Sequence, residues 1–302
     1  LWDCGEFILG AYKLQVVHPP GAGLFVIIGR MFAWLATVFS DDPADIAFAV
    51  NLMSAICTSI AAMMIAWTTI MFGKLALLGR NTDTSNAENI ALSFAGLVAG
   101  LATAFSTSIW FSAVEGEVYA MSTMFTVMTL WAATKYYYIE DESEALRWLV
   151  LSLFVSGMSV GVHLLSILSL PAIALLVYYK KYKEHTIKGA LIAMAAGVAA
   201  IVFIMKVVIV GIPTLWKNME LLFVNSFGLP VHSGIIPTLL IVAAVGYFGV
   251  KYAQKKGSQL LQVAAISAIL ITVAFSTIGV VVIRANTDTP INMNVPGDAM
   301  RL

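Results

Sequence analysis

Apolar stretches fenced by charged or turn-forming positions recur along the chain from Ile46 to Ile283. A helix needs about 20 such residues to cross a hydrocarbon core roughly 30 Å thick, so the spacing predicts eight spans. They cover residues 46–72, 90–111, 119–136, 149–162, 164–179, 190–210, 235–250 and 260–283. The fourth and fifth adjoin at His163. Fused, they would form one helix about 46 Å long at 1.5 Å per residue, too long for an ordinary span without strong tilt. A hairpin bent at Gly161-Val162-His163 instead places Lys74, Arg80, Lys135, Arg147, Lys180, Lys181, Lys183, Lys188, Lys251, Lys255 and Lys256 on one side. Only Lys13, Arg30, Lys206, Lys217, Arg284 and Arg301 remain for the other side and the spans. That asymmetry obeys the positive-inside rule and selects the hairpin.

With this topology residues 1–43 lie on the non-cytoplasmic side. Within them, 21–39 carries Leu24, Phe25, Ile27, Ile28, Met31, Phe32 and Leu35 near helical spacing, interrupted by Arg30, as suits a helix lying in the membrane surface. His18-Pro19-Pro20-Gly21 breaks the chain just before it. The predicted fold is therefore an all-α polytopic bundle. An extracytoplasmic loop with interfacial helices fills 1–43, the transmembrane helical domain 44–284, and the start of an extracytoplasmic segment 285–302. Gly96-x-x-x-Gly100 and Gly157-x-x-x-Gly161 read as close helix contacts rather than chemistry.

Composition agrees: 60% of the 302 residues are hydrophobic and 11% charged, with mean hydropathy +0.90, against about half and a quarter in soluble domains. Lys+Arg and Asp+Glu both number 17, so nothing points to a nucleic-acid partner. Cys4 and Cys57 form no spaced redox or zinc pattern. The start at Leu1, without a basic leader, reads as the inside of a longer protein.

Charge placement also locates the candidate chemistry. Asp3, Glu6, Lys13 and His18 from the first segment, Glu115, Glu117 and Tyr119 from a turn between spans, His163 from the hairpin tip and Arg284 from the last span all reach one face. Ionisable groups are costly at membrane depth and mark function more often than chance, though any single acid can stand in headgroup water. Asp3 and Glu6, three apart, share a helix face, where a carboxylate can act as general base or metal ligand. Transfer from a sugar phosphate needs only one base, because phosphate departs without protonation, whereas glycoside hydrolysis normally needs two carboxylates. The departing phosphate wants cations, for which Lys13, His18, Arg30 and Arg284 are available. His163 is equally suited to bonding backbone at the hairpin tip. No cofactor is fixed by this pattern; a divalent cation held by Asp3, Glu6, Glu115, Glu117, His18 and His163 is an alternative, unsupported by any tight motif.

At Trp2-Asp3-Cys4-Gly5-Glu6-Phe7, Ala11-Tyr12-Lys13-Leu14-Gln15 and His18-Pro19-Pro20-Gly21 the chain resembles a bacterial family of membrane proteins that also includes a eukaryotic protein O-mannosyltransferase. The resemblance continues through Val50-Asn51-Leu52-Met53-Ser54-Ala55, Glu117-Val118-Tyr119-Ala120-Met121-Ser122 and Gly161-Val162-His163-Leu164-Leu165. That family resembles a branch of the GT-C glycosyltransferases. The resemblance implies a polyprenyl-phosphate sugar donor, a protein or glycan acceptor, and a site facing the periplasm from a bacterial inner membrane. It further implies an acidic base in the first external loop, for which Asp3 is the first candidate and Glu6 the second, and a missing helix before Leu1. Ala22-Gly23 departs from the family pattern, where an aromatic residue and a proline are expected.

The residues alone fit a transporter or a membrane scaffold as well. A transporter should hold charge near the midplane between broken helices, and only Lys206 reads as deep. The transferase reading predicts that Asp3, Glu6, His18, Glu117 and His163 line one cavity.

Overall fold

Five helices begin at a local side-chain cap. Asp42 accepts from Ala44 N–H ahead of Pro43, and Ser85 and Glu88 form a reciprocal capping box. Asp141, Thr186 and Ser258 accept from Glu144, Gly189 and Leu261 N–H. Such caps satisfy amides that a helix cannot pair within itself.

The structure is a computed structural model describing residues 3–19, 21–79 and 83–302. Trp2 and Pro20 of the motifs above, and Arg80 of the basic set, lie outside the described residues. The helices in chain order are α1 (Cys4–Lys13), α2 (Gly23–Thr37), α3 (Pro43–Leu78), α4 (Asn86–Ala104), α5 (Thr107–Val114), α6 (Val118–Tyr138) and α7 (Glu142–Val160). After them come α8 (Leu170–Lys181), α9 (Ile187–Phe203), α10 (Gly211–Leu221), α11 (Ile235–Lys255), α12 (Gln259–Phe275) and α13 (Ile278–Ala285). A 3₁₀ turn, Leu164–Ser169, precedes α8. Among the described residues the only bridge between extended segments pairs Val16 with Asn292.

Among the described residues seven stretches are long and apolar enough to cross a membrane: Pro43–Leu78, Asn86–Ala104, Glu142–Val160, Leu164–Lys181, Ile187–Ser226, Ile235–Lys255 and Gln259–Ala285. They make the chain an integral, multi-pass membrane protein with an all-α fold. Helix α6, also predicted as a span, is less apolar because it sits inside the bundle, where Ser122, Thr129 and Thr134 are buried against its neighbours. Thr129 O accepts from Ser152 Oγ of α7, and Thr129 Oγ1 meets Ser166 Oγ of the 3₁₀ turn.

The hairpin at His163 is present. Helix α7 stops at Val160, the chain turns through Gly161 and Val162, and α8 returns so that Lys180 Nζ donates to Tyr136 O and Ile139 O at the far end of α6. At that same end Lys135 Nζ stands 4.8 Å over the Trp67 ring. The bundle therefore has a lysine end and, opposite, an end where Asp3, Glu117 and His163 lie.

Three spans differ from expectation. Residues 90–111 are not one helix: α4 ends at Ala104, and Ser106 Oγ turns back to Thr103 O before α5 begins. The stretch expected to stop at 210 continues as Ile187–Ser226, about 60 Å at 1.5 Å per residue. Pro213, which lacks the amide a helix needs, is preceded by the wider π turn Ile204–Ile209, and that widening lets the helix pass it. Residues 260–283 are bent at Ser276 and Thr277 into α12 and α13.

The glycine pairs serve packing. A methyl on Gly96 would stand 2.6 Å from Ile70 Cγ1, and one on Gly157 2.9 Å from the Ile271 Cα of α12.

Candidate active site

Helix α1 brings the first acids together. Phe7 on its inner face is buried edge-on against Phe25 and His18, with ring centroids 5.2 Å away in both cases. That packing sets His18 beside Glu6: Glu6 Oε1 accepts from His18 N–H at 2.6 Å and Oε2 meets His18 Nδ1 at 3.2 Å. Asp3, at the N-cap, makes no side-chain bond to its own helix and stays exposed. Ligand atoms of Asp3, Glu6 and His18 lie within 4.8 Å of one another, a mixed oxygen and nitrogen set that could hold a divalent cation.

The turn between α5 and α6 closes onto this helix. Asp3 N–H donates to Glu117 Oε1 at 3.3 Å, and Gly116 N–H donates to Cys4 Sγ at 3.2 Å. Glu117 is 7% exposed. A methyl on Gly116 would stand 2.8 Å from Ile8 Cγ1 and 2.9 Å from Asn51 Oδ1, so only glycine lets the turn approach α1 this closely. Burial pushes the Cys4 thiol pKa up; the charges of Glu117 and Glu115 add to this, and the Gly116 N–H partly opposes it.

Tyr119 and His163 form a second contact at the same end, ring centroids 5.7 Å apart. His163 Nδ1 accepts from Leu165 N–H, capping the 3₁₀ turn, which is the backbone role weighed above. Leu24 N–H donates to Gly161 O, binding α2 to the hairpin tip.

The predicted cations divide. His18 stands by Asp3, whereas Lys13, Arg30 and Arg284 gather at the other end of α1. Lys13 Nζ lies 4.4 Å over the Tyr12 ring. Arg30 Nη1 donates to Tyr12 O, and Arg284 donates through Nε to Leu14 O at 2.7 Å and through Nη2 to Lys13 O at 3.1 Å.

Asp3, Glu6, His18 and Glu117 meet at the start of α1, with His163 at the same end. A small apolar void of about 40 Å³ at this end is bounded by Ala22, Gly23, Gly161, Leu164, Phe275 and Thr277 among others, without any of the acids. Its walls are helix ends meeting at glycines, which leave apolar gaps, while Asp3 faces outward from α1. Lys206, read as deep, is exposed on the π turn of the long helix.

Three contributors went unassigned in the sequence. Cys4 docks the α5–α6 turn, Asn51 sits beneath that turn, and Gln15 bonds Leu9 O and Ile291 N–H. Asn51 and Gln15 stand within the motifs quoted above, but the α5–α6 turn and Ile291 that they meet are far away in the chain.

A family model described as the protein O-mannosyl-transferase TMEM260 N-terminal domain matches residues 3–186, more than half of the chain. Protein O-mannosyl-transferase tmem260 of Dictyostelium discoideum is 27% identical over 134 residues, 44% of this chain and 14% of that protein. Protein O-mannosyl-transferase TMEM260 of Mus musculus is 22% identical over 157 residues, 52% of this chain and 19% of that protein. The chain thus matches less than a fifth of the length of either relative. No solved structure matches it. Because the match spans Asp3, Glu6, His18, Glu115, Glu117, Tyr119 and His163, with only Arg284 of the acid-end groups beyond it, the chain belongs to the family of the TMEM260 N-terminal domain.

Proposed function

We propose that this chain is the membrane part of a GT-C-type glycosyltransferase. It moves a sugar, mannose by analogy with the names of its relatives, from a polyprenyl-phosphate donor to a protein hydroxyl, a Ser or Thr side chain. The reaction takes place at the acid end, facing the periplasm of a bacterial inner membrane, with residues 1–43 as the external loop. The observation that carries this reading is the gathering of Asp3, Glu6 and His18 within 4.8 Å at that end.

The step follows from which carboxylate is free. Both Glu6 oxygens are engaged by His18. The Asp3 carboxylate has no hydrogen bond or ion pair among the described residues, so it is the group able to take a proton. Asp3 removes the proton from the acceptor hydroxyl as that oxygen bonds to the anomeric carbon. The bond from that carbon to the phosphate oxygen breaks, and the electron pair leaves with the lipid phosphate. His18 is the predicted cation close enough to meet that charge. Tyr119 and His163, exposed and half-buried beside the acids, offer an aromatic wall and a ring nitrogen for the sugar, and Glu115 and Glu117 supply acceptors for its hydroxyls.

Replacing Asp3 tests the reading. A positioned base is worth about 10²- to 10⁴-fold in rate, roughly 3 to 5 kcal/mol of transition-state stabilisation. Asp3→Asn keeps shape and removes charge, so full-length protein in membranes should lose that much transfer from a labelled polyprenyl-phosphate sugar while still binding the donor. Wild-type transfer by the Asn variant excludes Asp3 and makes Glu6→Gln the next replacement. Retention by both places the base outside this acid pair, and absence of transfer by the wild-type protein returns the chain to the transporter reading.

A further inference from the structure

We infer that Arg30 and Arg284 are positioning residues: they grip helix α1 by its C-terminal carbonyls and so hold Asp3 in place, rather than binding the donor phosphate. The inference rests on the transferase reading only through the role of Asp3.

A ten-residue helix leaves its last four carbonyls without partners and concentrates negative partial charge there. Alone in water such a helix is marginal. In α1 each of these carbonyls is taken. Gly10 O accepts from Gln15 N–H at 2.8 Å, Ala11 O from Leu14 N–H at 3.4 Å, Tyr12 O from Arg30, and Lys13 O from Arg284. Arg284 also takes Leu14 O, so one guanidinium forks across successive carbonyls from 270 residues away in the sequence. Gln15 completes the joint by donating to Leu9 O and accepting from Ile291 N–H at 2.6 Å. The two arginines come from different elements, α2 and α13, and approach the same turn.

Distance decides between the two roles. Asp3 caps one end of α1 and Leu14 the other, about 16 Å apart at 1.5 Å per residue. The phosphate that leaves the anomeric carbon is within a few ångströms of the base, since reacting atoms meet about 3 to 3.5 Å apart. A guanidinium bonded to Lys13 O and Leu14 O is too far away to touch it. The same helix, however, transmits any loosening at its C-terminus to Asp3 as a displacement, and a misplacement near 1 Å can cost about a hundredfold in rate.

Cys4 is a built-in reporter of that displacement, because its thiol is docked against Gly116 N–H one residue from Asp3. Full-length protein in membranes, with Cys57→Ala so that Cys4 alone of this chain's cysteines reacts, is made with Arg284→Gln, Arg284→Lys and Arg30→Lys. Initial rates are measured against donor concentration, and Cys4 labelling is timed with a membrane-impermeant maleimide. Lysine keeps the charge but cannot fork across two carbonyls, so it guards against misfolding and should give the milder effect. The expected result is a kcat fall of about ten- to a hundredfold with donor KM unchanged within about twofold, and Cys4 labelling several-fold faster in Arg284→Gln. A rise in donor KM with kcat unchanged restores the phosphate-binding role and overturns the inference, as does unchanged labelling. If Asp3→Asn retains full transfer, the assignment of Asp3 as base fails first, and the labelling rates alone then decide whether the arginines hold α1.

Discussion

The two ends of the bundle are built by different rules. Four helices rise from the lysine end, α4, α7, α9 and α12, and each begins with its own side-chain cap at Ser85, Asp141, Thr186 or Ser258. At the acid end α3 is capped by Asp42, whereas α1, α2, α6 and α11 begin at Asp3, Ala22, Glu117 and Gly234 without any such bond. Distant residues take over there. Glu117 receives Asp3 N–H across 114 residues, Gly161 receives Leu24 N–H, and buried Glu220 receives the N–H groups of His232 and Gly234 ahead of α11. A cap three residues away forms with its helix, while a tie between distant segments forms only once the whole end is assembled. The lysine end is thus specified locally, and the acid end is specified by the fold.

That difference suits the proposed chemistry. A base whose helix is held by Glu117 and two arginines can be set in position without a rigid local motif. It also leaves the Asp3 carboxylate free, since a self-capping Asp3 would spend its oxygens on the Gly5 or Glu6 amides.

Breaking a long-range tie should have the larger effect. Hydrogen bonds to charged groups contribute about 1.5 to 3 kcal/mol. Glu117→Ala should therefore speed amide hydrogen exchange across α1 by roughly ten- to a hundredfold, while the amides of α7 and α12 near the lysine end keep their wild-type rates. An equal acceleration at both ends would show that the two are not independent units.

How much was legible follows the same division. The hairpin at His163 could be read because its signal is short-range: span lengths and the positions of lysines. Gly157 and Gly96 announced close packing by their own spacing. By contrast, the span expected over 190–210 runs on to Ser226, because the π turn at Ile204–Ile209 carries the helix through Pro213, Lys217 and Glu220. Nothing in the composition of that turn distinguishes it from ordinary helix. At the site, Asp3, Glu6 and His18 were legible as a group because a helix and the linker after it fold them together. Arg30 and Arg284 were legible as cations at the correct end but not as partners of Tyr12, Lys13 and Leu14, since their targets are backbone carbonyls that any sequence offers. The acid at Glu117 was legible as a charge, and its burial against α1 was not.

A smaller effect is expected from the lysine end. Losing an N-cap Asp costs about 0.5 to 2 kcal/mol, so Asp141→Ala should lower the detergent-solubilised protein's stability by about 1 kcal/mol. Transfer per folded molecule should stay unchanged, because Asp141 bonds only Glu144 N–H within its own helix. A selective loss of transfer with stability intact would mean that the lysine end reaches the site after all.

The smallest expected effect is a titration that reads the acid end alone. The Cys4 thiol is held above its ordinary pKa first by burial and then by the charges of Glu117 and Glu115. Maleimide reacts with the thiolate, so labelling of Cys4 in the folded protein should rise at higher pH than labelling of the denatured chain. A raised folded pKa means the native state binds the proton more tightly. The thiol's contribution to stability is then complete below the unfolded pKa and fades as pH climbs through the folded one, in the alkaline range. Glu117→Gln removes one of the charges responsible, so its labelling curve should move back towards that of the denatured chain without reaching it, because burial is the larger cause. A curve in Glu117→Gln that coincides with the wild type would show that Glu117 does not act on α1 across the turn, and the long-range tie that distinguishes the acid end would lose its best-defined member.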